Sequence, residues 1–242
     1  MEHIDTPQGR RIAVRREEGQ GPAVVFLGGF RSDMTGTKAA WLADWARGRG
    51  RAFARFDYSG HGASEGAFEE GTVGAWAEDA AAVLDSVARP AILVGSSMGG
   101  WIALLLARRS PDRVAGLVTI AAAPDFTEDG LWAAAPEHLR ARLMAEGRIH
   151  VPSEYGAPYA ITRGLIESGR ENLVLRQPLH LPMPTRMLQG TADREVPAAT
   201  ALRLLDHATG PDIRLTLVKD ADHRFSSPRC LRLIGQAIEE VS

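Results

Sequence analysis

The chain has 242 residues, 45% of them hydrophobic, 24% charged and with a formal net charge of −2. That composition supplies one large core and leaves no basic footprint for a nucleic-acid partner. The single cysteine, Cys230, excludes an internal disulfide and any cysteine-based metal site.

Met1 to Arg16 alternates polar and apolar residues and lacks the apolar stretch of a signal peptide. No apolar run approaches the roughly 20 residues a membrane span needs, so a cytoplasmic location without a membrane span is expected. His3 to Arg16 reads as two short strands around the turn signal Thr6-Pro7-Gln8-Gly9. Ala23 to Leu27 is a compact apolar run ending at Gly28-Gly29, the pattern of a buried parallel strand entering a loop. Lys38 to Arg47 places Ala39, Leu42, Ala43 and Ala46 at helical spacing, and Arg51 to Phe56 is the next strand. A glycine-studded loop, Ser59 to Gly66, follows. Thr72 to Ala88 reads as a helix with Trp76, Ala80, Val83, Leu84 and Val87 on one face, stopped by Pro90. Ala91 to Val94 is a buried strand, Met98 to Arg109 a helix and Val114 to Ile120 a strand.

Between Pro124 and Pro184 this rhythm breaks. The stretch holds two helical patterns, Glu137 to Glu146 and Tyr159 to Glu167, and is too long for a plain connection. It reads as a small helical cap inserted into a single domain spanning residues 1–242. The alternation then resumes with a strand Arg186 to Gln189, a helix Pro197 to His207, a strand Ile213 to Val218 and a helix Ser227 to Val241. Repeated strand–helix units predict an α/β fold, a mostly parallel central sheet flanked by helices.

The chemistry concentrates in Gly95-Ser96-Ser97-Met98-Gly99, a G-x-S-x-G pentapeptide between a predicted strand and a predicted helix. In that context it is a nucleophile elbow, a tight turn that lifts Ser97 above the sheet. Ser96 fills a variable position and is expected to point away. A serine hydroxyl is a weak nucleophile, so it needs a base, and the base needs an orienting acid. Asp193, in Gly190-Thr191-Ala192-Asp193, and His223, in Asp220-Ala221-Asp222-His223, each follow a predicted strand. Both therefore reach the carboxyl edge of the sheet, where Ser97 stands. Glu195 reads as a helix-entry residue, His207 as a helix-surface residue, and His138, His150 and His180 as cap residues. His61 lies in the glycine-rich loop.

Two backbone N–H groups must face the developing oxyanion. Met98, after the nucleophile, supplies one. The other falls on the loop Leu27-Gly28-Gly29-Phe30-Arg31, at Phe30 or alternatively Gly29. Asp57 is expected to hydrogen-bond the loop it opens. Arg31 and Asp33 form a candidate brace for the oxyanion loop, and Arg31 is also a candidate contact for an acidic substrate. Trp132, Tyr155 and Tyr159 are candidates for an aromatic-lined acyl pocket.

Gly29-Phe30-Arg31-Ser32-Asp33-Met34, Arg55-Phe56-Asp57-Tyr58-Ser59-Gly60 and Val94-Gly95-Ser96-Ser97-Met98-Gly99-Gly100-Trp101 resemble one subgroup of the α/β-hydrolases. It is the subgroup of the palmitoyl-protein thioesterase and mycophenolic acid acyl-glucuronide esterase, and Asp220-Ala221-Asp222-His223-Arg224 is similar to its histidine loop. The resemblance implies an α/β-hydrolase fold with Ser97, Asp193 and His223 as the triad. It also implies ester or thioester cleavage of a small-molecule or acylated-protein substrate. Such chemistry requires neither metal nor organic cofactor. The same triad could serve a peptide or carbon–carbon bond, and a hydrolase fold can also persist as a non-catalytic binding protein.

Overall fold

A computed structural model describes residues 1–87, 90–153 and 156–242. In chain order the elements are β1 (Glu2–Asp5), β2 (Arg11–Glu17), β3 (Gln20–Leu27), α1 (Thr37–Gly48) and β4 (Arg51–Phe56). Next come α2 (Val73–Asp85), β5 (Ala91–Ser96), α3 (Met98–Arg109) and β6 (Val114–Ile120). Then follow α4 (Glu137–Glu146), β7 (Arg148–Ser153), β8 (Gly156–Thr162) and α5 (Arg163–Glu171). The chain closes with β9 (Thr185–Gly190), α6 (Ala198–His207), β10 (Ile213–Val218) and α7 (Pro228–Glu240).

Among the described residues, eight strands form one sheet in the order β1-β2-β4-β3-β5-β6-β9-β10. The β1–β2 and β2–β4 pairs are antiparallel, and β4, β3, β5, β6, β9 and β10 run parallel. The apolar runs of the central strands explain this burial on two faces. On β3, Val24 and Phe26 pack with Leu42 and Trp45 of α1 and Ile234 and Ile238 of α7. Val25 and Leu27 face the other way, into a cluster with Trp76 and Val83 of α2 and Trp101 and Leu105 of α3. A fully buried side chain of this size contributes about 1.5–3 kcal/mol, against about 0.2–1 kcal/mol for an exposed ion pair. The two apolar clusters, rather than the surface arginine pairs, therefore hold the layers together.

Most expected elements lie where their sequence patterns put them, with ends shifted by a few residues. The α2 helix begins after Thr72, whose side chain accepts the Ala75 N–H, and runs to Asp85; Ala88, the expected end, lies outside the described residues. One expectation is wrong. The segment expected as a helix, Tyr159 to Glu167, splits in two: Tyr159 to Thr162 belongs to β8, which pairs antiparallel with β7. The physical cause is cross-strand packing. Ile161 pairs with Ile149, and both are buried. Thr162 then caps the true helix α5, accepting the Leu165 N–H at 3.1 Å. A π-helical turn, Thr127–Trp132, was also absent from the sequence expectation.

Candidate active site

The turn between β5 and α3 carries the first functional group. Ser97 sits at φ 55°, ψ −119°, a backbone state that costs a non-glycine residue roughly 1–3 kcal/mol and persists only when its surroundings impose it. Here they do. The Ser97 N–H donates to the Ile120 carbonyl at 2.9 Å, and the Ser97 carbonyl accepts from Gly100 at 2.9 Å and Ala123 at 3.1 Å. The flanking glycines answer to close approach: a Cβ at Gly95 would stand 2.3 Å from the Gly99 carbonyl oxygen, and one at Gly99 would stand 2.1 Å from that of Leu27.

Asp193 follows β9 and His223 follows β10, on neighbouring parallel strands. Their loops are tied directly, because Ala192 N–H donates to the Ala221 carbonyl at 3.0 Å and Asp220 N–H to Thr191 Oγ1 at 2.9 Å. The result is a continuous relay. His223 Nε2 lies 3.1 Å from Ser97 Oγ, and His223 Nδ1 lies 2.8 Å from Asp193 Oδ2. Asp193 is only 8% exposed. Its Oδ1 accepts the Glu195 and Val196 N–H groups at 2.9 and 2.8 Å, and Oδ2 also accepts from Gln189 Nε2 at 3.1 Å. Burial pushes the Asp193 carboxyl up, but the bonds from His223, Val196 and Gln189 outweigh it and hold the group below its ordinary value. The carboxylate is thus ionised and fixed in direction.

Opposite this relay, the loop after β3 lies against the elbow, with the Cβ position of Gly29 3.3 Å from Ser97 Cβ. It turns sharply: Ser32 N–H donates to the Gly29 carbonyl at 3.1 Å, and Arg31 takes φ 60°. Among the described residues, neither the Phe30 nor the Met98 N–H donates to a protein acceptor. The Met98 group is the first of α3, where no intrahelical acceptor exists. The Phe30 ring is wedged among Phe68, Trp76, Phe126 and Tyr159 at centroid distances of 5.0, 5.8, 5.7 and 5.8 Å.

Asp57 does hydrogen-bond its own loop, accepting the Ala63 N–H at 2.8 Å, and it also accepts the Met34 N–H at 2.6 Å. It therefore joins the loop after β4 to the loop after β3, a role the sequence pattern did not disclose. Burial pushes its carboxyl up, against the pull of those two bonds. The Asp33 carboxylate caps the Thr35 N–H and hydroxyl, while the Arg31 guanidinium stands 4.6 Å above the centroid of Tyr159.

Glu195 has a neighbour beyond the helix it leads into. It precedes the α6 helix, but its Oε2 also lies 3.5 Å from His223 Nε2. The other histidines lie elsewhere. His207 Nε2 meets the Val174 and Gln177 carbonyls, His180 meets Thr209, and His138 and His150 are exposed on α4 and β7. Trp132 stacks with the guanidinium groups of Arg140 and Arg170 and lines an apolar cavity of about 210 Å³ with Leu143, Ile149, Ile161 and Ile166. Tyr159 stands on Phe30 instead, so these two aromatics do not share one pocket wall. Tyr155 lies outside the described residues.

A strained serine at a strand–helix turn, on a mostly parallel sheet of this order, defines an α/β-hydrolase. The family model described as "Serine aminopeptidase, S33" matches residues 21–163, and the chain belongs to that family. The mitochondrial palmitoyl-protein thioesterase of Rattus norvegicus is 32% identical over 244 residues, covering 100% of this chain and 82% of the relative. Among solved structures, a candidate hydrolase from Agrobacterium vitis S4 aligns with TM-score 0.94 and 44% identity, over 99% of this chain and 97% of the other. The mouse alpha/beta hydrolase domain-containing protein 10 aligns with TM-score 0.90 and 33% identity, over 100% and 99% of the two chains. Among the described residues, no helix is long and apolar enough to cross a membrane.

Proposed function

We propose that this chain is a serine hydrolase that cleaves carboxylic esters or thioesters through an acyl-enzyme on Ser97. The observation that carries the reading is the relay Ser97 Oγ, His223, Asp193, with steps of 3.1 and 2.8 Å. The thioesterase name of a relative aligned over the whole chain supports the bond type.

In this reading His223 Nε2 takes the Ser97 hydroxyl proton as Oγ attacks the acyl carbonyl carbon. The carbonyl electron pair moves onto oxygen, where the Phe30 and Met98 N–H groups hold the charge. Collapse of this intermediate breaks the bond to the alcohol or thiol, which leaves with the proton from His223. Water, deprotonated by the same nitrogen, then attacks the acyl-serine, and the carboxylic acid departs as Ser97 recovers its proton. Asp193 holds the imidazole with Nδ1–H toward it and stabilises the imidazolium. The segment 124–184 acts as a cap over this site, a role supported by Tyr159 and Phe126 packing on Phe30.

The acyl donor is a small molecule or an acylated protein. A second reading, peptide-bond cleavage by the same triad, draws on the aminopeptidase description of the matched family. A panel of nitrophenyl esters, an S-acyl thioester and an aminoacyl nitroanilide separates the two. Ser97→Ala is expected to lower kcat on the preferred substrate by about 10⁴–10⁶ and to abolish labelling by a fluorophosphonate. An alanine variant that keeps most of its turnover sinks the proposal.

A further inference from the structure

His61 lies in the Ser59 to Gly66 loop and takes no part in the relay, yet it is 4% exposed and both of its ring nitrogens are engaged. Nδ1 lies 3.2 Å from the Ser59 carbonyl, which can only accept, so Nδ1 carries the proton. Nε2 then presents a lone pair, and the Arg31 N–H donates to it at 3.2 Å. Arg31 is the residue at φ 60° immediately after Phe30. The ring is clamped by aromatic neighbours: Phe68, Trp76 and Tyr58 at centroid distances of 5.1, 5.2 and 5.7 Å. Trp76 Nε1 donates to the same Ser59 carbonyl at 3.1 Å, fixing the acceptor on the far side of the imidazole.

We propose that neutral His61 is a positioning residue for the oxyanion hole, holding the Arg31 amide in its left-handed conformation so that the preceding Phe30 N–H faces Ser97. The proposal rests on the reading of Ser97 as nucleophile and of Phe30 as oxyanion donor. Its logic is conformational. A residue at φ near +60° relaxes toward ordinary backbone angles unless something over-determines it. Relaxation at Arg31 rotates the peptide planes on either side of Arg31, and the Gly29–Phe30 plane that carries the Phe30 N–H follows because the Ser32 N–H holds the Gly29 carbonyl across the same turn. On the other side of the turn, Asp57 accepts the Met34 N–H, so one short loop grips the oxyanion loop at two points. Burial lowers the basicity of His61 although Asp57 and Asp79 face it, which favours the neutral ring the acceptor role requires.

The test compares His61→Phe, which fills the aromatic clamp without an acceptor, with His61→Gln, whose side-chain carbonyl can take the place of Nε2. Removing one oxyanion donor typically costs about 10²–10³ in kcat, so a displaced donor is expected to cost His61→Phe about 10- to 100-fold in kcat. KM should stay within about twofold, and fluorophosphonate labelling should slow in parallel. His61→Gln should recover most of both. Equal impairment of the two variants, or wild-type turnover in His61→Phe, overturns the proposal. Should His61→Phe fail to fold, nitrogen NMR of the wild-type histidines decides: the proton is expected on Nδ1 of His61 at neutral pH, and a proton on Nε2 overturns it. Failure of the Ser97 reading looks different, because the wild-type protein itself would then resist labelling.

Discussion

Asp193 accepts two backbone N–H groups on one oxygen and two side-chain donors on the other. With all of these partners donating, the residue works only as an acceptor, which an ionised carboxylate satisfies and an amide does not. Asp193→Asn places an NH₂ group among donors, and the His223 imidazole answers by presenting its lone pair rather than its proton at Nδ1. Nε2 then carries a proton and cannot accept one from Ser97. The expected outcome is a loss of about 10⁴ in kcat with the fold retained, checked by turnover and circular dichroism on the same preparation. Near-wild-type turnover in Asp193→Asn would remove Asp193 from the proposed triad.

At the scale of elements, the segment between β6 and β9 shows how a local signal competes with tertiary pairing. Residues 159–167 combine helical spacing with a β-forming start, and the competition is decided at Thr162. Before it, Ile161 packs opposite Ile149 across the β7–β8 ribbon; after it, the threonine side chain starts α5. Trp101 ties α3 to the end of α5 through a 3.0 Å bond from Nε1 to the Asn172 carbonyl. Thr162→Ala removes the cap acceptor and should lower stability by about 1 kcal/mol, read as a shift in the urea midpoint. Because the cap lies at the far end of α5 from Trp101, kcat on a short nitrophenyl ester should change little. An unchanged urea midpoint would show that tertiary packing, not the cap, starts this helix.

For the molecule as a whole, titratable groups whose pKa is displaced by folding set the acid limit. His61 has a lowered folded-state pKa, so its contribution is complete above the ordinary histidine value of 6.5 and is lost as pH falls below it. The carboxyls of Asp193 and Asp129 are also held low. In Asp129, burial pushes the value up but the Arg176 and Arg203 bonds outweigh it. Their contributions are complete above 3.8 and are lost as pH falls through the folded values. Asp57, raised by burial, acts in the opposite sense. The urea midpoint should therefore decline in two stages, one below pH 6.5 and a second below 3.8. His61→Gln should remove its share of the first, and Asp129→Asn should reduce the second. A midpoint unchanged from pH 7 to 5 in the wild-type protein would contradict the first stage.

What the sequence determined by itself was whatever depends on near neighbours along the chain. Compact apolar runs and amphipathic helices announced the sheet and its covering helices, and Gly95-Ser96-Ser97-Met98-Gly99 announced the elbow, because glycine is required where backbones approach within a side chain's width. Asp193 and His223 were legible because each follows a recognisable strand. Only the tertiary structure decided which groups meet across the loops: that Glu195 stands beside His223, that Asp57 reaches Met34, and that His61 accepts from Arg31. These contacts join residues as much as 30 positions apart. No local propensity encodes them, because they exist only once parallel strands have brought their carboxyl ends to one edge.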